Sequence, residues 1–124
     1  MANSSELNYY YKLKEDCVEK QKKYKQSLNI CNNLLSEISR IKNSLNNIKD
    51  NLMTSFTING KSADDGMTDQ IIDNISTIWS LLSGQIVPQI QTEISQLTNK
   101  INEYDNQIAY LLKQAKDANE ENEG

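Results

Sequence analysis

With 124 residues, the chain has the length of one compact domain or one extended element. It contains no histidine, one arginine (Arg40) and one proline, and its net charge is −4; the commonest general base and metal ligand are therefore missing, as is a bidentate phosphate clamp. A mean hydropathy of −0.68, with no run of about 18 apolar residues, argues against direct membrane insertion.

The first residues, Met1 to Glu6, lack a basic region followed by an apolar one, so no Sec-type leader is expected. From Tyr10 a seven-residue ladder runs through Cys17, Tyr24, Cys31, Ile38, Leu45 and Leu52, with Leu28, Leu34, Leu35, Ile41 and Ile48 in the intervening turns. That period keeps one apolar stripe on one face and predicts a first helix over about 4–56. Cys17 and Cys31 lie roughly 21 Å apart on such a helix, beyond the reach of about 7 Å that a disulfide allows. They read as two small core residues in a reducing compartment.

A polar hinge is expected at 57–66, where Asn59-Gly60 and Gly66 occur. Gly60 is suited to the left-handed conformation that ends a helix, and Ser62, Asp64 or Asp65 to accepting hydrogen bonds from the first amides of the next. Asp64-Asp65-Gly66 lacks the spaced ligands of a calcium loop.

The second ladder is Ile71, Ile75, Ile78, Leu82, Ile86, Ile90, Ile94, Leu97, Ile101, Tyr104, Ile108, Leu111, Ala115 and Ala118, predicting a helix over about 67–117 before an acidic flexible tail at 118–124. Its phase changes between Leu82 and Ile94, and Pro88 lies four residues after Gly84, which predicts a kink there rather than a break. An antiparallel match of the ladders sets Leu52 by Ile71, Ile48 by Ile75 and Leu45 by Ile78. Beyond the phase change it sets Tyr24 by Ile101, Cys17 by Ile108 and Tyr10 by Ala115. The expected fold is all-α: a single domain formed by one long antiparallel two-helix hairpin, coiled-coil-like, kinked near Gly84 and Pro88.

Such a hairpin brings the lysines at 12–25 close to the acids at 103–123, where exposed pairs favour register more than stability. The nearby acids and scarce arginine speak against a nucleic-acid surface. No carboxylate pair is set in an apolar run, so neither an enzyme nor a cofactor is expected.

Two helices bury one stripe each and leave their flanks uncovered. Ile72, Trp79 and Ile86 repeat every seven residues beside the second ladder, while Ile30 and Met53 flank the first. Aligned apolar side chains outside a seam mark an interface; a broad seam that swallows them is the other reading. Tyr9, Tyr10 and Tyr11 span some 200° of helix, too much for one seam. Either the end frays, or Tyr9 or Tyr11 touches a partner.

The plan of two long helices around a central polar hinge resembles the WXG-type (ESAT-six-like) small helical-hairpin proteins of Gram-positive type VII secretion. More narrowly, Ser5-Glu6-Leu7-Asn8-Tyr9-Tyr10-Tyr11-Lys12-Leu13 resembles the start of the YwqH-like group. The resemblance implies a cytoplasmic targeting factor, chaperone-like, that binds the helical N-terminal domain of an LXG toxin with a second small helical-hairpin protein. It would present them to the secretion machinery and leave with the toxin by a Sec-independent route. The chain departs from the wider class in having no Trp-x-Gly at the hinge and no Tyr-x-x-x-Asp/Glu after Tyr104 or Tyr110. A self-associating coiled-coil scaffold, or a secreted WXG-like homodimer, is the alternative.

Overall fold

Steps of three and four residues alternate along the less exposed side of the first helix. Leu7, Tyr10, Lys14, Cys17, Gln21 and Tyr24 are half-buried, and Leu28, Cys31, Leu35, Ile38, Leu45, Lys49 and Leu52 continue the pattern as half-buried or buried positions. An average step of 3.5 residues is the heptad period. The sequence ladder occupies one of its two rows; the other carries Lys14, Gln21 and Lys49 as well as leucines. Leu34, Ile41 and Ile48, expected inside, are exposed. Leu35 and Lys49, one residue on from Leu34 and Ile48, are half-buried instead, since a polar side chain with a long apolar stem can also cover a seam.

The computed structural model describes residues 2–55, 57–58, 61–62 and 66–123, with side chains over 4–52 and 66–121. It is all-helical apart from one short strand pair. Helix α1 is Ala2–Ser55; strands β1 (Thr57–Ile58) and β2 (Lys61–Ser62) pair antiparallel, with Ile58 opposite Lys61. Helix α2 is Met67–Leu81, a π-helical turn spans Leu82–Ile86, and α3 is Val87–Glu123. No helix among the described residues is long and apolar enough to cross a membrane.

Helix α2 begins at the expected place by a different cap. Gly66 stands at its N-cap in the left-handed region (φ 78°) with no side-chain cap, and its carbonyl accepts from the Gln70 N–H at 3.2 Å. Gly60, assigned that conformation from the sequence, lies outside the described residues, as do Asp64 and Asp65. The irregularity expected at Gly84 and Pro88 is the π-helical turn. There the Val87 N–H donates to the Leu82 carbonyl, five residues back, so the wider turn absorbs the phase change while the backbone stays right-handed helical at Leu82 and Val87. Helix α3 runs on to Glu123, where a flexible tail was expected from 118.

The chain divides into two compact units, Met1–Ser27 with Ile90–Gly124, and Leu28–Gln89. In the first, Leu97, Ile108 and Leu111 of α3 are buried, Leu111 with only 4% of its surface exposed. Lys14 Nζ meets Asp105 Oδ1 at 2.6 Å, and Gln21 Nε2 donates to Thr98 Oγ1 and to the Ile94 carbonyl at 3.1 Å. The partner's number falls as α1's rises, so the segments run antiparallel. The register differs from the expected one: Cys17, matched above with Ile108, lies on α1 between two residues bonded to Asp105 and Thr98. Tyr10, matched with Ala115, stacks obliquely near Tyr104 at 6.2 Å between ring centroids.

In the second unit, Lys49 pairs with Asp69 across α1 and α2, and Ile38 and Lys42 share a cleft with Ser76, Trp79 and Ser80. These segments are antiparallel too. The inward side of α2 holds Thr68, Ile72, Ile75, Ser76 and Leu82; Ile71 and Ile78, placed in the seam from the sequence, are exposed, and so is Ile86, which fell both on the ladder and on the strip beside it. Two adjacent apolar rows on α2 both satisfy a helical period. Trp79 stands beside the inward side and is itself exposed.

Candidate interaction surface

The sequence-predicted surface residues divide between the units. Tyr9 and Tyr11 are exposed in the first, Tyr9 packing edge-on against Tyr10 with ring centroids 5.5 Å apart. Ile30, Ile72, Trp79 and Ile86 belong to the second. Ile30 is the most open, at 67%; Ile86 is exposed; Ile72 is half-buried toward α1. Trp79, 41% exposed, lines a cleft of about 370 Å³ with Ile38, Ser39, Lys42, Ser76 and Ser80. Met53 has its side chain outside the described residues.

The larger apolar surface of this unit lies elsewhere. On α1, Leu34, Ile41 and Ile48 repeat every seven residues and are all exposed. On α2, Met67, Ile71, Ile78 and Leu81 are exposed and fall within about 40° of one line along the helix at 100° per residue. Each row stands about a quarter turn from the inward row of its own helix, in the same rotational sense. For antiparallel neighbours, equal rotations point to the same side of the layer, so both rows share one side.

The Trp79 cleft checks this assignment independently. Ser39 on α1 and Ser76 and Ser80 on α2 are rotated the other way from their seams, and they meet at one cleft. Leu28–Gln89 is therefore a two-helix layer with one apolar side and one polar side. Helical period alone hides the apolar side, because Ile41, Ile48, Ile71 and Ile78 fit the seam by that measure. Two signals pointed to it: a heptad frame that accepts lysine and glutamine inward, and the absence of any charged residue over 74–92.

Electrostatics beside the apolar rows are self-contained. Glu37, the i+3 neighbour of Leu34, accepts hydrogen bonds from Arg40 Nε at 3.2 Å and Nη2 at 2.7 Å. The hydrogen bond to Glu37, and then its charge, hold the Arg40 guanidinium above its ordinary pKa. In the other unit, Lys20, Lys23 and Lys100 line a cleft of about 370 Å³ with Tyr24, Ser27, Glu93 and Leu97. Among the described residues, no group of three or more Cys, Asp or Glu is placed to hold a metal ion. Cys17 and Cys31 are free thiols, both half-buried.

No family model, curated protein or solved structure matches the chain.

Proposed function

We propose that the protein is a non-enzymatic binding partner of other helical proteins. The observation that carries this reading is the apolar side of Leu28–Gln89, where seven large side chains on two helices stay exposed although a core is within reach. Contiguous apolar surface of this kind is costly in water and is covered by a partner in a working protein. Its position on regular helices suits a helical occupant, since rows at i, i+4 and i+7 interlock with a second set of ridges.

In its fuller form, the whole chain is one antiparallel, coiled-coil-like hairpin of the WXG type, and its partner is the helical N-terminal domain of an LXG toxin. It acts as the toxin's targeting factor, with a second small helical-hairpin protein, for delivery to a type VII secretion machine. The antiparallel contacts within each unit and the YwqH-like opening at 5–13 support this form. Co-expression with the helical region of an LXG toxin encoded nearby, and with its companion hairpin, tests it. A complex that survives gel filtration is expected; a chain that elutes free of both partners contradicts the assignment.

A further inference from the structure

We propose that the cleft between α1 and α3 in the unit Met1–Ser27 with Ile90–Gly124 binds a small soluble phosphorylated ligand of at least two negative charges, with Lys20, Lys23 and Lys100 as its cationic clamp.

Two helical faces and their register make the site. Lys20, Lys23, Tyr24 and Ser27 stand at i, i+3, i+4 and i+7 on α1, and Glu93, Leu97 and Lys100 at i, i+4 and i+7 on α3, so each set shares one face of its helix. Both faces line the same cleft of about 370 Å³. The contacts of Lys14 with Asp105 and of Gln21 with Thr98 set residues 20–25 across from 94–99. That stretch of α1 carries Lys20, Lys22, Lys23 and Lys25, whereas α3 has no acid between Glu93 and Glu103. The register expected from the apolar ladders would have set Lys20 level with Asp105; the observed one gives that acid to Lys14.

The cations of the cleft are therefore left without counter-charges. Lys20, Lys23 and Lys100 are exposed, and none of them is in an ion pair among the described residues. Three ammonium groups against the one carboxylate of Glu93 leave an excess of two positive charges, in a chain whose net charge is −4. Bringing them together from two helices is unfavourable until an anion enters between them.

The lining selects the anion. Ammonium groups hold phosphate as point charges, without the planar fork by which arginine grips a carboxylate. The hydroxyls of Tyr24 and Ser27 can donate to further phosphoryl oxygens, and the half-buried Tyr24 ring and the buried Leu97 give an apolar wall for the organic part of the ligand. The volume lies at the small end of ligand sites and suits a phosphate ester or a diphosphate. A nucleic-acid strand needs a track of cations for successive phosphates, which Glu93 interrupts. None of these residues belongs to Leu28–Gln89, so the proposed function and this site stand or fall separately.

Titration of the full chain with inorganic pyrophosphate and with phenyl phosphate, followed by amide NMR at about 50 mM salt, tests the proposal. Saturable shifts confined to residues about the cleft are expected, with a dissociation constant on the order of 1 mM. Lys20→Gln/Lys100→Gln should weaken binding at least about fivefold and Glu93→Gln tighten it about threefold, while Lys12→Gln/Lys113→Gln, the same charge change outside the cleft, leaves it within about twofold. The amide spectrum also reports whether each variant is folded. Shifts that do not saturate by about 10 mM of either probe overturn the proposal, as does equal weakening by the two lysine pairs. A short oligothymidylate that binds at least about tenfold more tightly than pyrophosphate assigns the lysines to nucleic acid and overturns it too. Co-sedimentation with phosphatidylcholine–phosphatidic acid vesicles through Lys20 and Lys100 does the same in favour of a lipid headgroup.

Discussion

Lys14 and Asp105 meet at 2.6 Å from positions that their helices turn toward each other, one half-buried step from Cys17 and Tyr104 respectively. Lysine at an inward heptad position adds little to the seam, but it favours the alignment of α1 with α3 that sets it beside Asp105 over those that set it opposite an apolar residue. Gln21 acts similarly through Thr98, whose hydroxyl also donates to the Ile94 carbonyl at 3.0 Å. Polar seam positions of this kind fix register at some expense of stability.

Reversing the pair is therefore expected to be nearly neutral when both partners change. Lys14→Asp alone and Asp105→Lys alone each place like charges together and should lower stability by about 0.5–1 kcal/mol, while the double variant recovers most of it. Both groups are more than a third exposed, which keeps the magnitude small. Urea denaturation of the four proteins at low and high salt measures the coupling.

Truncation separates the buried rows from the exposed ones. Leu111→Ala removes the least exposed apolar side chain of α3 and should cost about 2–4 kcal/mol, enough to unfold much of a marginal chain. Ile30→Ala, at a position 67% exposed, should change the stability of the isolated chain by less than about 0.5 kcal/mol. Thermal melts at one fixed concentration provide the comparison.

The two described glycines are expected to respond in opposite ways. Gly66 has φ 78°, which an alanine adopts only at a cost of about 1–2 kcal/mol, so Gly66→Ala should destabilise the start of α2. Gly84 is in a right-handed helical stretch, and a Cβ there would meet nothing within 4 Å. Gly84→Ala should raise stability by up to about 1 kcal/mol. Chemical denaturation of both variants checks the contrast in sign.

Much of the fold was legible in the sequence because helices report their periodicity directly. The row from Tyr10 to Leu52 is the less exposed one, α2 starts at Met67, and the phase change near Gly84 marks a real irregularity. Register was not legible. Two ladders of one period match equally well when slid by a turn or two, and polar pairs such as Lys14–Asp105 and Lys49–Asp69 distinguish the alignments. The inward row of α2 was ambiguous for a related reason: Ile71 and Ile78 stand beside Ile72 and Trp79, so two neighbouring rows satisfied the same test. Asn59-Gly60 suits a helix end, but the same dipeptide is also a signal for linking paired strands, which flank it here. The exposed apolar positions accordingly include Leu34, Ile41, Ile48, Ile71 and Ile78 beside Ile30, Trp79 and Ile86.

The most direct measurement of the account is a co-expression pull-down with the helical region of the LXG toxin, comparing the unmodified chain with two double variants. Ile41→Glu/Ile78→Glu alters the apolar side of Leu28–Gln89, and Ser39→Glu/Ser80→Glu alters the polar side. The account predicts that the unmodified chain and the serine variant bring down the toxin region in equal amount while the isoleucine variant, still helical, brings down at least tenfold less. Equal recovery with all three, or none with the unmodified chain, would contradict it.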